Sequence, residues 1–184
     1  GKPQYFGNYN DGFVRAAETG GVVRFLKLEG TIEVNAQKTV TIDMEDRSYR
    51  ANGQSLVIKS GSTVQLVGQG AVESTPEAGG GGGSGSSGTP TYGKFIPVTV
   101  ESGGTFVLPA KNLDDRENMA MPSGLTVQSG GTAELQGGST DWTYVEGTLN
   151  ISGGSHMNIN QDKHGQLNIT GGQINWLQIY GDLP

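Results

Sequence analysis

Cysteine is absent from this 184-residue sequence, and histidine occurs only twice. Without thiols, the chain has no disulfide, no cysteine nucleophile and no cysteine-based zinc site. Charged residues make up only 16% of the chain and glycine contributes 32 residues, a balance that excludes a protein built of long helices. The glycines follow no Gly-X-Y period, so a collagen-like chain is excluded as well.

Long apolar runs and a positive net charge are missing too. No stretch of 18 apolar residues occurs, and we therefore expect no membrane insertion. The 12 Lys and Arg residues against 18 Asp and Glu residues give a net charge of −6, which argues against binding to nucleic acid through its phosphates. What is present is a series of ordered clusters of Val, Ile, Leu and Thr, which distinguishes the chain from a disordered one.

An internal repeat organises these clusters. Residues 56–66, 98–108 and 125–135 share the pattern apolar-x-apolar-x-Ser-Gly-[Gly/Ser]-Thr-x-x-Leu. A shorter variant with Leu-Asn-Ile-[Ser/Thr]-Gly-Gly follows at residues 147–154 and 165–172. Such self-similarity is the usual sequence signature of a repeat architecture.

One copy of the repeat predicts a strand, a tight turn and a second strand. Val98 and Val100 alternate with Thr99 and Glu101, which is the period of a half-buried strand. The Ser-Gly-Gly that follows supplies the positive φ angles of a sharp turn. We therefore predict an all-β, Gly-rich parallel β-helix in which equivalent strands of successive copies pair; a β-sandwich or a meander of hairpins is the alternative.

The Val-x-Ser-Gly-Gly-Thr copies resemble the passenger repeats of bacterial autotransporter adhesins and the coils of phage tailspikes, fibres and other β-helical virion proteins. The resemblance covers about residues 55–180. It implies a rigid structural or adhesive protein, and for virion components it implies a homotrimer. The chain departs from the autotransporter pattern, since we expect too few coils for a long stalk and no outer-membrane translocator.

The first 20 residues carry aromatic side chains without a helix or strand signal. Tyr5, Phe6, Tyr9 and Phe13 are separated by Gly and Asn, which predicts an N-terminal arm over residues 1–20. The arm either packs on its own domain or anchors to a partner subunit through its aromatic residues. If the arm anchors to a virion, we expect deletion of residues 1–20 to leave the fold intact and to abolish attachment to a capsid or tail.

Residues 21–184 are predicted to form one β-repeat domain. Within it, the Gly/Ser-rich stretch at 79–90 has the composition of a flexible segment. Similar repeats lie on both sides of this stretch. They favour a loop that projects from one coil rather than a linker between two domains.

Candidate catalytic and metal-binding residues are few. Glu101 is flanked in the aligned copies by Lys59 and Gln128, so it lacks the second carboxylate that glycoside hydrolysis generally requires. His156 and His164 are interpreted as ordinary surface histidines. We therefore predict no catalytic residue, no metal site and no cofactor.

A carbohydrate-binding face is the one recognition site that the sequence suggests. Aligning the copies predicts an outward polar column of Thr99, Thr126, Asn150 and Asn168. Trp142 and Tyr144 either join Asn150 and Asn168 in a glycan-binding face or help to seal the last coils. Trp176 and Tyr180 are interpreted as a cap over the open end of the solenoid.

These observations lead to one preferred function and two alternatives. The preferred function is a non-enzymatic structural protein on a bacteriophage virion surface, a capsid decoration or a short fibre component, which attaches to a capsid or tail protein. The first alternative is an extracellular or cell-surface adhesin that binds glycan. The second is a small tailspike-like enzyme that cleaves polysaccharide.

Overall fold

The computed structural model describes residues 3–49, 52–72 and 90–180. Of the predicted loop at residues 79–90, only residue 90 belongs to the described part of the chain. The described chain forms one helix and a series of short strands. They are α1 (Tyr9–Thr19), β1 (Val22–Val23), β2 (Thr31–Val34), β3 (Thr39–Asp43), β4 (Ser55–Ile58), β5 (Thr63–Val67), β6 (Ala71–Val72), β7 (Pro90–Thr91), β8 (Gly93–Phe95), β9 (Val98–Val100), β10 (Thr105–Leu108), β11 (Ala120–Pro122), β12 (Leu125–Val127), β13 (Thr132–Leu135), β14 (Ser139–Val145), β15 (Thr148–Ile151), β16 (Ser155–Gln161), β17 (Gln166–Ile169) and β18 (Gln173–Ile179).

Two seven-stranded sheets contain most of these strands. Sheet A has the order β1-β3-β5-β10-β13-β15-β17, and sheet B has the order β2-β4-β9-β12-β14-β16-β18. Every pair of neighbours in both sheets is parallel. The chain alternates between the two sheets from β1 to β5 and again from β9 to β18, apart from β11, which pairs with β8 in a separate two-stranded sheet. The all-β prediction is confirmed, and the arrangement is compatible with a parallel solenoid. A meander of hairpins is excluded for these sheets because it requires antiparallel neighbours.

The three long copies of the repeat stack in register, as predicted. Leu56, Val98 and Leu125 are partners in sheet B. The two short copies occupy a different place, because Leu149 and Leu167 pair with each other in sheet A, where Leu149 also pairs with Ala133. Their Ser/Thr-Gly-Gly therefore forms the corner that leads from sheet A to sheet B, whereas the same motif in the long copies leads from B to A. The alignment of all five copies on one strand was wrong, because both corners are tight turns that require glycine.

Glycine is needed at the corner for two physical reasons. Gly103 has a φ of 75° and Gly130 a φ of 80°, in the left-handed region that other residues rarely adopt. Gly104 is limited by space instead, since a Cβ there would lie 2.7 Å from the carbonyl oxygen of Ile58. Adjacent copies of the repeat therefore approach each other backbone to backbone at this corner.

Inward-facing residues of both sheets form one hydrophobic core. Strands β4, β9 and β12 have alternating buried and half-buried residues, and the core extends from Phe13 to Ile159. The opposite set of side chains faces outward and is held in straight columns by the parallel register. This regular outer surface positions the candidate site.

Helix α1 covers the N-terminal end of the core. Asn8 caps it by accepting a hydrogen bond of 2.9 Å from the Asp11 amide, and Gly20 ends it in the left-handed conformation. Phe13 is fully buried and meets the ring of Phe25 edge-on at 6.1 Å. The expectation that this segment has no helix was wrong, because its cap signals and the spacing of Phe13 and Ala16 specify a short amphipathic helix.

Candidate functional site

The last three strands of sheet B present an ordered outer surface. Strands β14, β16 and β18 pair in parallel, with Trp142 opposite Asn158 and Asn158 opposite Trp176. The same pairing register continues at the next outward position of each strand. It also includes the residue that directly follows each strand. We name this surface the aromatic face. It consists of Trp142, Tyr144 and Glu146 on the first layer, Asn158, Asn160 and Asp162 on the second, and Trp176, Gln178 and Tyr180 on the third.

The aromatic rings of this face are exposed and flank a row of polar side chains. Trp142 is 58% exposed and Trp176 is 62% exposed, although large aromatic side chains usually bury most of their surface. Asn158 lies between them and is half-buried. Since the two tryptophans are two strand spacings apart, their backbones are separated by about 10 Å. An exposed aromatic patch of this kind is typical of a binding surface.

Two carboxylates surround the phenol of Tyr144. Its hydroxyl donates to Oδ2 of Asp162 at 3.5 Å, a long hydrogen bond. Partial desolvation, together with the negative charges of Asp162 and Glu146, raises the pKa of Tyr144 above its ordinary value. A phenol is protonated at neutral pH even at its ordinary pKa, so Tyr144 is a hydrogen-bond donor beside two acceptors.

A shallow depression lies on one side of the aromatic face. It has a volume of about 370 Å³ and is lined by Tyr144, Asn160, Asp162 and Tyr180. The lining offers two aromatic rings, one amide and one carboxylate, which is a mixture of apolar surface and hydrogen-bonding groups. Such a mixture suits a ligand whose faces are apolar and whose edges carry hydroxyl groups.

The four residues suggested for glycan binding do not lie together. Trp142 and Tyr144 belong to the aromatic face, whereas Asn150 and Asn168 lie on the outer side of sheet A. There Asn150 donates to Glu134 at 2.7 Å, and Asn168 donates to Asn150 at 2.7 Å. These amides stack on each other as a ladder between strands. The predicted single polar column was wrong because it joined strands of two different sheets.

Trp176 and Tyr180 also lie elsewhere than expected. The register places Trp176 in the same outward column as Trp142, and the inward positions of β18 are occupied by Ile174, Leu177 and Ile179. The tryptophan therefore does not cover the end of the core. Sequence reasoning missed its partners Asn158, Asn160, Asp162 and Gln178. Aligning Trp142-x-Tyr144 with Asn158-x-Asn160 and Trp176-x-Gln178 is the signal that would have found them.

The aromatic residues of the predicted arm fall into two groups. Tyr5 is 78% exposed and Phe6 is 45% exposed. In contrast, Phe13 belongs to the core, and the hydroxyl of Tyr9 accepts from the Glu29 amide at 3.0 Å and donates to the Lys27 carbonyl at 3.2 Å. Phe13 is therefore not available to a partner, and deletion of residues 1–20 would remove part of the core.

The two histidines have opposite environments. His164 is exposed, as expected, but His156 is fully buried at an inward position of β16, where it pairs with Thr140 and Ile174. Its Nε2 donates to the Gly153 carbonyl at 2.9 Å, so Nδ1 accepts from the Thr140 hydroxyl at 3.1 Å. Burial lowers the pKa of His156, partly opposed by the bond to Gly153. The surface assignment of His156 was wrong.

Two further observations concern residues 3–49, 52–72 and 90–180. Within these ranges no three His, Asp or Glu side chains come close enough to hold a metal ion. The one helix found there is not long and apolar enough to cross a membrane.

Comparison with known proteins gives no match. No protein-family model, no curated protein and no solved structure is significantly similar to this chain. The interpretation of the aromatic face therefore depends on its geometry and chemistry.

Proposed function

We propose that this chain is a non-enzymatic adhesion module that binds carbohydrate through the aromatic face. A single observation carries the proposal. Two exposed tryptophans lie on either side of a row of half-buried asparagine side chains on β16. The apolar C–H face of a sugar ring stacks on an indole, and its hydroxyl groups need donors and acceptors at the edge of that ring. The aromatic face offers both within three adjacent strands.

We further propose that sheets A and B are two walls of one parallel β-helix. The alternation of the chain between the sheets and the unbroken parallel registers support this interpretation. A solenoid holds each outward side chain at a fixed spacing, and a rigid platform lowers the entropy that is lost on binding. Such a platform suits an adhesin on a virion or on a bacterial cell surface.

A glycan array tests the proposal directly. We expect the intact chain to bind a subset of immobilised glycans, and Trp142→Ala and Trp176→Ala each to weaken that binding at least tenfold. Asn168→Ala is the matched control, because it removes an exposed side chain from sheet A, and it should leave binding unchanged. A blank array would contradict carbohydrate binding, and release of new reducing ends or unsaturated sugars from a bound glycan would contradict the non-enzymatic role.

A second candidate function follows from the exposed pair Tyr5 and Phe6 in front of α1. Aromatic side chains at such a position are suited to anchoring a chain to another protein. Under this proposal the protein is a capsid decoration or short fibre component of a bacteriophage virion, assembled as a homotrimer. Here the N-terminal residues would provide attachment, and the aromatic face would point outward.

The second function is tested by replacing the anchor without damaging the fold. The double variant Tyr5→Ser and Phe6→Ser leaves α1 and Phe13 in place, so it should keep the stability of the parent chain. We expect it to lose co-sedimentation with capsids or tails that the parent chain retains. Retained co-sedimentation, or a monomeric mass by light scattering, would count against this candidate.

A further inference from the structure

The order of side chains on the aromatic face carries information about the ligand. Aromatic rings recur across the strands, from Trp142 past Asn158 to Trp176. Along β14 the next outward side chain after Trp142 is Tyr144, a less exposed ring whose hydroxyl donates to Asp162, whereas the second exposed indole is reached only two strands away. A ligand that uses both tryptophans must therefore lie across the strands.

The spacing of the two tryptophans corresponds to a disaccharide repeat. Trp142 and Trp176 are separated by two strand spacings, about 10 Å. In an extended chain of equatorially linked pyranoses, every second sugar presents the same face, and the sugar between is turned over. The sequence aromatic, amide, aromatic matches this alternation, because two sugars that present the same face would lie over the two indoles and the turned-over sugar between them would lie over Asn158.

Hydrogen-bonding groups lie along one side of this track. Tyr144, Asn160 and Gln178 occupy the adjacent outward column in the same register. Asn160 is half-buried, so its orientation is constrained by its neighbours. These phenol and amide groups donate and accept, as the hydroxyl groups of a sugar chain do.

The charges around the face indicate the kind of sugar. Strands β14, β16 and β18 contain no Lys or Arg, and the carboxylates of Asp141, Glu146 and Asp162, which lie on or beside the face, outnumber the adjacent basic residue Lys163. A sugar with a carboxylate or sulfate would meet like charge without a basic partner from these strands. A neutral sugar would use the same carboxylates as hydrogen-bond acceptors.

We infer that the ligand is a neutral, extended, equatorially linked oligosaccharide of at least three sugars, which lies across β14, β16 and β18. This inference rests on the proposed carbohydrate binding. The first and third sugars stack on Trp142 and Trp176, and the second contacts Asn158. The two tryptophans are the only ones in the chain, so their fluorescence reports on this face.

The experiment is a fluorescence titration with oligosaccharides of defined length and linkage. The probes are β-1,4-linked glucose and N-acetylglucosamine oligomers of two to five sugars, maltotriose as an α-linked control and oligogalacturonate as an anionic control. We expect an affinity increase of at least tenfold from the disaccharide to the trisaccharide, a smaller increase beyond it, and weaker binding of both controls.

Variants assign the effect to the two rings. Trp142→Ala and Trp176→Ala should each remove the increase between the disaccharide and the trisaccharide, whereas Trp142→Phe and Asn168→Ala should retain it. Equal affinity for all lengths, or a preference for maltotriose or for oligogalacturonate, would overturn the inference and leave carbohydrate binding standing. Failure of every sugar to bind in both the titration and the array would instead overturn the proposed function itself.

Discussion

The two ends of the strand stack differ in how the core is covered. At the N-terminal end, α1 packs on the first strands, and Phe13 and Phe25 are almost completely buried. At the C-terminal end of the described chain, Ile169 is 44% exposed and Leu177 is 40% exposed. Both occupy inward positions whose partners one layer earlier, Ile151 and Ile159, are at most 1% exposed.

This comparison shows that the burial of a side chain depends more on the layer of strands that covers it than on its residue type. Leu149 and Leu167 are the same residue type at the same register, yet the first is fully buried and the second is half-buried. An apolar side chain in a parallel stack is covered from both sides only when a layer lies on each side of it. Stability should therefore be highest near α1 and should fall toward β17 and β18.

The largest expected difference is between truncations of an inward-facing side chain at each of the two ends. Phe13→Ala should lower the free energy of unfolding by about 3–5 kcal/mol, because it opens a cavity in a closed cluster. Leu177→Ala should cost roughly 1 kcal/mol or less, since much of that side chain is already in water. Urea unfolding followed by circular dichroism measures both, and equal losses would show that the two ends are equally covered.

A smaller difference is expected when the pH is lowered. Burial lowers the pKa of His156 in the folded chain below its unfolded value of about 6.5. Because the unfolded chain binds the proton first, stability is complete above that unfolded value and is lost as the pH falls toward the folded pKa. Relative to the intrinsic rate of unprotected amides at each pH, hydrogen exchange should therefore accelerate in β14 and β16 below about pH 6.5 and remain slower in β3 and β5.

Histidine variants separate this effect from other titrations. His156→Gln should abolish the acceleration between neutral and mildly acidic pH, although it will destabilise the chain at every pH. His164→Gln removes an exposed ring and should leave the pH dependence unchanged. If the acceleration persists in His156→Gln, the buried imidazole is not its cause.

The smallest expected effect concerns the helix cap. Asn8→Ala removes the acceptor of the Asp11 amide and should destabilise the chain by about 1 kcal/mol. Asn10→Ala is the matched control, since it exchanges an exposed residue inside the helix and should be neutral or slightly stabilising. Thermal unfolding measures both variants, and an equal response would mean that the cap contributes nothing to the N-terminal end.

Buried polar contacts illustrate what sequence patterns cannot provide. Asn118 is fully buried, and its Oδ1 accepts from the amides of Gly68 and Ala120, each at 3.1 Å. Its Nδ2 donates to the carbonyls of Leu66 and Pro109, each at 3.0 Å. In the sequence it directly follows the four charged residues at positions 114–117. Its partner Leu66 is 52 residues away, so no local pattern could indicate the contact.

The sequence alone determined the all-β character of the chain and the stacking of its long repeats, because alternation and glycine corners are local properties of a few neighbouring residues. It also singled out Trp142 and Tyr144. The partnership of Trp142 with Asn158 and Trp176, the separation of Asn150 from that face, the burial of His156 and the packing of α1 were decided by the tertiary structure. The physical reason is register: in a parallel stack, residues 16 or 18 positions apart become neighbours only once each strand is assigned to its sheet.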